Sequence, residues 1–243
     1  MPRSADAHER ARTSAGPSQY VDVAMVGTQP QTARGRRTRE RLIAAARVVF
    51  ERDGYVDSRL VDIVAEAQCS IGSFYTWFEG KDEVFAAVLQ EAQQDMLQPA
   101  ARAPEDADDP VASIEASHRA YFEAYARNAR LNQLLNQVAV LDKRFLELRM
   151  ARADAFIRRN ARAIGQWQER GLADRTLDPH LTSMALSGMI SRLAGDRHLY
   201  QGDIDFEQLV AVATKIWTNA LGLTEPQREI DTPPSTTSTS PIT

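Results

Sequence analysis

The sequence predicts an all-α protein of about nine helices. Apolar residues recur at helical spacing through most of the chain, and no run of alternating β-branched residues bounded by turn residues interrupts them. With 243 residues and 43% hydrophobic content, the chain can bury a sizeable core in one or two domains. Residues 1–33 and the Pro-, Ser- and Thr-rich residues 224–243 lack this periodicity, and both are expected to be disordered tails.

The composition argues against several classes of protein. The single cysteine, Cys69, excludes an internal disulfide framework and indicates a reducing compartment. The four histidines lie far apart in sequence, so neither a metal nor another cofactor is expected. Residues 20–27 are too short for a signal peptide or a membrane span, which predicts a cytoplasmic protein. No phosphate-binding glycine loop, nucleophile elbow or metalloprotease motif supports an enzyme.

The net charge of −4 hides a basic segment. Residues 34–52 hold seven arginines against two glutamates, a local charge of +5. Four of these arginines come before Glu40 and suit an arm that lies along DNA phosphates or enters a minor groove: Arg34, Arg36, Arg37 and Arg39. A solubilising tail beside a helix start is the alternative.

The first two helices are short and amphipathic. The first is predicted from about Thr38 to Asp53, with Gly54 as its stop. Its apolar residues form one stripe: Leu42, Ile43, Ala46, Val49 and Phe50. A second helix is predicted to begin near Ser58 and to end at residues 68–70, followed after this tight break by a third. The three together predict a helix-turn-helix, in a domain of residues 34–80.

The third helix has two unlike faces. Ser70 can cap the amide of Ser73, and Phe74 and Phe78 point inward at i, i+4 spacing. A rotation of 100° per residue gives the opposite face a small, polar centre with aromatic flanks: Gly72, Ser73 and Thr76, then Tyr75 and Trp77. Such a face suits a helix that enters the major groove. Packing of the two flanking aromatics against the fourth helix is the alternative.

Six further helices are predicted in a second domain of residues 81–223. They lie at about 81–98, from Asp109-Pro110 onward, near 130–141, near 142–170 with Gly171 as the stop, at 178–195 with Asp178 as the cap, and at 205–222. The first three helices are too small to bury much surface alone. We therefore expect them to lean on the fourth.

Residues 39–85 resemble the DNA-binding domain of the TetR family of transcriptional regulators. The resemblance rests on the spacing of Phe50, Gly54, Ile63, Ala67, Ser70, Gly72, Tyr75, Phe78 and Lys81. It implies that the third helix reads the major groove through Ser73, Thr76 and Trp77. It also implies that Tyr75 and Lys81 bind phosphates.

Three positions depart from the family pattern, among them Val64, which stands where the family usually has Ala. Arg59 stands where the family usually has a small hydroxyl residue, and an added ionic contact with a phosphate is expected there. Gln68 stands where the family has a glycine at positive φ. A side chain in that conformation implies strain of about 1 kcal/mol.

The resemblance further implies a small-molecule pocket among the fourth to seventh helices. Candidate lining residues are Met96, Tyr121, Tyr125, Leu134, Phe145, Leu148 and Arg152. Ordinary core packing is the alternative for the apolar and aromatic members. The arginines of the seventh helix can meet an anionic ligand or form a solvated face.

The last two helices are implied to pair with their copies in a second subunit. The candidate interface residues are Leu186, Met189, Ile190, Leu193, Leu209, Val212 and Ile216. Completion of the subunit's own core is the alternative. A homodimer would double the contacts of one helix-turn-helix on a palindromic site.

These expectations combine in a ligand-responsive regulator, a repressor in most members of the family, that binds a palindromic operator as a homodimer. A small-molecule effector in the C-terminal domain would release it. The alternative is a module that coats DNA without sequence preference, or a helical protein-interaction module.

Overall fold

A computed structural model describes residues 27–101, 109–199 and 204–223. Within these ranges it contains nine α-helices and no strand, which confirms the predicted fold class. The helices are α1 Ala33–Asp57, α2 Leu60–Glu66, α3 Ile71–Tyr75, α4 Lys81–Ala101, α5 Pro110–Arg127, α6 Ala129–Leu141, α7 Lys143–Glu169, α8 Pro179–Leu199 and α9 Phe206–Ala220. The tails predicted over 1–33 and 224–243 lie outside the described residues, except for residues 27–33.

Helix ends follow the capping residues that the sequence indicated. Asp109 Oδ1 accepts the amides of Val111 and Ala112 at 2.9 and 3.1 Å, and Pro110 opens α5. Asp178 Oδ1 accepts the amide of Leu181 at 2.7 Å. Gly171 follows α7 with φ +75°, and α1 is broken at Gly54, whose φ is +80°. These positions need a residue that tolerates the left-handed region.

The first apolar core joins the three N-terminal helices to α4, α6 and the start of α7. The segment 84–89 of α4 is almost completely buried in it, so the predicted dependence of the small domain on the fourth helix is confirmed. Rings from α1, α4 and α7 meet at its centre: Phe50, Tyr55, Phe85 and Phe145. The three N-terminal helices therefore share one core with α4, α6 and α7.

A second core lies among α5, α7, α8 and α9. Its largest members are aromatic or branched: Phe122, Ile164, Trp167, Leu186, Ile190 and Trp217. Helix α5 packs on both α4 and α9, and α7 packs on both α6 and α8. These two long helices thus link the second core to the first.

Every helix within the described ranges is too short or too polar to span a membrane.

Candidate DNA-binding surface and ligand cavity

Helix α1 begins earlier than the sequence predicted. Its first residue is Ala33, and the Thr32 hydroxyl oxygen accepts the amide of Gly35 at 3.1 Å. The backbone amide of Thr28 donates to the carbonyl oxygen of Trp77 at 2.9 Å, which holds the segment before α1 against the residues that follow α3. The four early arginines are therefore part of the helix and not an arm before it: Arg34, Arg36, Arg37 and Arg39.

The arginine-bearing start of α1 is strongly positive. The first turn of the helix contains no acidic residue, and its amides add the positive end of the helix dipole. Arg34, Arg36 and Arg37 are exposed, while Arg39 is half-buried with its guanidinium 5.2 Å from the ring centre of Phe78. Positive groups of this kind attract phosphate oxygens.

The turn between α2 and α3 contains a left-handed residue. Gln68 has φ +50°, which confirms that the glycine-like conformation is retained without a glycine. Arg41 holds this turn from α1, because its Nη2 donates to the carbonyl oxygens of Ala67 and Gln68. The sequence analysis did not assign Arg41 a role, since these partners are distant in sequence.

The short helix α3 has the two predicted faces. Ser70 Oγ accepts the amide of Ser73 at 3.1 Å, and the rings of Phe74 and Phe78 are buried with centroids 5.6 Å apart. On the opposite side, Gly72, Tyr75 and Thr76 are exposed and Ser73 is partly exposed. Small and hydroxylated groups thus form a free surface that rests on two core phenylalanines.

The Thr76 hydroxyl donates to the carbonyl oxygen of Gly72 at 3.1 Å. Three other predicted DNA contacts, Trp77, Lys81 and Arg59, also have partners within the protein. The indole of Trp77 is half-buried against Gly35. Lys81 Nζ donates to the carbonyl oxygens of Tyr55, Val56 and Ser58 at 2.7, 3.1 and 3.1 Å. Arg59 Nε pairs with Asp62 at 2.9 Å, although the arginine side chain is 74% exposed. Of these three groups, Arg59 is the most open to a ligand.

A cavity of about 410 Å³ lies among α5, α7, α8 and α9, and Met96 of α4 also lines it. Its wall is mainly apolar and aromatic, including Ile114, Tyr121, Phe156, Ile157, Trp167 and Trp217. Polar and charged side chains are interspersed: Ser113, Ser117, His118, Arg159, Asn160, Arg162, Gln166, Ser187 and Ser191. A volume of this size is within the usual range for small-molecule sites.

Two of the seven predicted lining residues, Met96 and Tyr121, face this cavity. Leu134, Phe145 and Leu148 are instead buried in the first core. Helix α7, which carries Phe145 and Leu148, borders both cores, and helical periodicity indicates a buried face without indicating which core covers it. The remaining two, Tyr125 and Arg152, do not line the cavity. Both interact electrostatically with Tyr121, and Arg152 is buried.

His118 lines the cavity, although the sequence analysis did not name it among the candidate lining residues. It is 5% exposed, and its Nδ1 lies 3.2 Å from Thr214 Oγ1. Its ring also meets the edge of Trp217, with centroids 5.2 Å apart. Burial lowers the pKa of His118 to about 4. Its place in the apolar stripe of α5 was the available signal, and it indicated burial rather than the cavity.

The predicted dimer residues divide between buried and exposed positions. Leu186, Ile190 and Leu209 belong to the second core, and Met189 and Leu193 pack partly against it. Val212 and Ile216 of α9 are 48% and 41% exposed. On α8 the exposed apolar residues are Leu181 and Met184, because the buried positions occupy the other side of this helix. On α8, the exposed apolar residues are therefore not the ones that were predicted.

Comparison with protein families finds a match over the N-terminal domain. Residues 42–88 match the family described as bacterial regulatory proteins, tetR family. This range includes α2, α3 and the turn between them, together with most of α1 and the start of α4. The chain thus carries the DNA-binding domain typical of this family. No curated protein was found to match the sequence.

Solved structures share the fold along nearly their whole length. The fatty acid degradation regulator FadR from Bacillus halodurans aligns with a TM-score of 0.65 and 16% identity, over 78% of this chain and 96% of that one. SmeT, the repressor of the Stenotrophomonas maltophilia multidrug efflux pump SmeDEF, gives 0.62 and 21%, over 75% and 89%. A SmeT–triclosan complex gives 0.63 and 18%, over 76% and 91%.

Proposed function

From a chain that carries a TetR-type DNA-binding domain on the fold of TetR-family regulators, we propose that this protein is a sequence-specific transcriptional repressor. It binds a palindromic operator as a homodimer and releases it when a small molecule occupies the cavity. The observation that carries the proposal is the exposed face of α3, where hydroxyl groups and a glycine rest on buried phenylalanines.

The groove contacts are assigned to the exposed face of α3. Ser73 and Thr76 can meet base edges, since hydroxyls both donate and accept hydrogen bonds. Gly72 allows the backbone to approach the DNA closely, and Tyr75, with 57% of its surface exposed, can reach a phosphate. The early arginines of α1 and Arg59 supply the charge that holds the duplex against this face.

The homodimer is assigned to α8 and α9. Each helix has an exposed apolar stripe, with Leu181 and Met184 on α8 and Val212 and Ile216 on α9. Burial of these side chains against a second copy would remove apolar surface from water. The α3 helices of the two subunits would then match two half-sites on the DNA.

The effector site is assigned to the cavity. SmeT, a repressor with the same fold, forms a complex with triclosan. Helices α5 and α7 border the cavity here, and both also contact the helices of the first core, which includes α1 to α4. A ligand that displaces either helix can therefore change the position of α3. The coupling energy between the ligand site and the DNA site would be about 1–3 kcal/mol.

Selection of bound fragments from genomic DNA tests this function. A regulator should recover a small set of palindromic sites, and it should bind them at least about 1,000-fold more tightly than scrambled duplexes. The double variant Ser73→Ala, Thr76→Val should change base preference at defined positions. Asn136→Ala, an exposed position on α6, is the matched control.

Loss of a phosphate contact should affect DNA binding differently from loss of a base contact. Arg37→Ala should weaken binding to all duplexes alike and reduce the dependence of affinity on salt by about one ion. Arg149→Ala, an exposed arginine on α7, should change neither. Equal affinity for operator and scrambled DNA would instead favour a DNA-coating protein.

A further inference from the structure

One buried cation near the cavity lacks a counterion. Arg152 of α7 is 7% exposed, and its Nη1 has no hydrogen-bond partner within the described part of the chain. None of the ion pairs formed by the described residues includes it. The groups that interact electrostatically with it are the phenols of Tyr121 and Tyr125.

Arg152 lies beside the cavity wall. It precedes Phe156 by one helical turn on α7, and Phe156 and Ala153 both line the cavity. The ring of Tyr121, which also lines the cavity, stands edge-on to Phe156 with centroids 5.5 Å apart. Arg152 is not itself a lining residue, but Tyr121, with which it interacts electrostatically, is.

A buried guanidinium without an anion is energetically unfavourable, because it has lost hydration and gained no ion pair. Burial lowers the pKa of Arg152 to about 10, so the group remains charged at neutral pH. Arg158, on the same helix, differs from Arg152 because it pairs with Asp154 at 2.7 Å. The position of Arg152 is explained if an anion binds there.

We propose that the effector is an amphipathic carboxylate, whose acid group pairs with Arg152 and whose apolar body fills the cavity. This inference rests on the proposed effector site. One negative charge balances one guanidinium, whereas a phosphate dianion would leave an excess charge buried. Carboxylates also accept two parallel hydrogen bonds from arginine. The wall offers apolar contacts for the body and a further unpartnered donor, Trp217 Nε1, among the described residues.

The test compares acids with alcohols of the same skeleton. Decanoate and 4-phenylbutanoate, with decanol and 4-phenylbutanol, are titrated into the full chain by calorimetry without DNA. The wild-type protein should bind each acid at least about tenfold more tightly than its alcohol. Arg152→Met should lose this preference, Arg152→Lys should keep part of it, and Arg158→Met should keep all of it.

Thermal unfolding without ligand gives a second readout. Arg152→Met should melt at a higher temperature than the wild type, because it replaces an uncompensated charge with an apolar side chain. A lower melting temperature would mean that Arg152 has a structural partner, and would overturn the proposal. Acids that bind no better than their alcohols, or no binding of any acid, would overturn it too. Because these measurements contain no DNA, they are independent of whether the protein recognises an operator.

Discussion

Gly35, in the first turn of α1, lies directly beneath the indole of Trp77. A methyl group built on Gly35 would come within 2.8 Å of a ring carbon of Trp77 and within 3.1 Å of Thr32 Oγ1. The carbonyl oxygen of Trp77 also accepts a hydrogen bond from the backbone amide of Thr28. The start of α1 and the residues after α3 are therefore held at one fixed separation.

We expect Gly35→Ala to lower the free energy of unfolding by about 1–3 kcal/mol, as overpacking of a close contact usually does. The arginines on the same turn should move with the helix start, so operator affinity should also fall. The unfolding midpoint in urea, at constant slope, measures the first effect. Gly80→Ala is the control, since a methyl group there meets no atom within 4 Å. Equal midpoints for the two variants would mean that the contact yields without strain.

We expect Gln68→Gly to stabilise the protein by roughly 0.5 kcal/mol. Removal of the side chain relieves strain of about 1 kcal/mol at φ +50°, and the greater freedom of glycine in the unfolded chain offsets part of this gain. Gln68 is exposed, so little packing is lost. Ala65→Gly, at an exposed position of α2, should have the opposite sign because glycine weakens a helix. A midpoint for Gln68→Gly at or below the wild-type value would contradict the expected strain.

Local signals accounted for the helix ends and for the two faces of α3. Ser70, Asp109 and Asp178 cap helices through atoms only two or three residues away, so the sequence contains all the information needed. The early start of α1 also has a local cap, since Thr32 Oγ1 accepts the amide of Gly35, but the sequence analysis did not recognise it. The contact between Gly35 and Trp77 could not be predicted, because no rule of sequence spacing brings these two residues together.

The residues that line the candidate cavity were less predictable than the two faces of α3. Apolar spacing marked Leu134, Phe145 and Leu148 as buried, which they are. It could not indicate that they belong to the core shared with α1 and α4, because this depends on how α6 and α7 cross the other helices. The serines and His118 of the cavity were also not predicted as lining, since each follows the pattern of an ordinary helix.

Replacement of Lys81 separates a structural role from a direct contact with DNA. Its ammonium donates to three carbonyl oxygens at the end of α1 and lies 4.7 Å from the ring centre of Tyr55. We expect Lys81→Met to lower the free energy of unfolding by about 2 kcal/mol, because partly buried carbonyls lose a charged donor. Lys143→Met should change it by less than about 0.5 kcal/mol, since that side chain is 85% exposed.

The same variants should be titrated with operator and scrambled duplexes. We expect Lys81→Met to weaken both complexes, through a displaced turn between α1 and α2. A weaker affinity with an unchanged free energy of unfolding would contradict the structural role. It would assign Lys81 directly to a phosphate instead.

His118 should make the stability of the fold depend on pH. Burial lowers its pKa to about 4 in the folded protein, whereas an unfolded histidine titrates near 6.5. Between these values the unfolded chain binds more protons, so stability is complete above about pH 6.5 and is lost as the pH falls toward 4. The full loss corresponds to about 3 kcal/mol.

We expect His118→Leu to remove most of this contribution, because leucine remains apolar at every pH. Urea unfolding at pH 7.5, 6.5, 5.5 and 4.5 should give a flatter profile for the variant than for the wild type. His180→Leu, at an exposed position of α8, should leave the wild-type slope unchanged. Parallel profiles for wild type and His118→Leu would mean that His118 accepts a proton in the folded state. In that case the surroundings formed by Thr214, Phe122 and Trp217 would have to admit water.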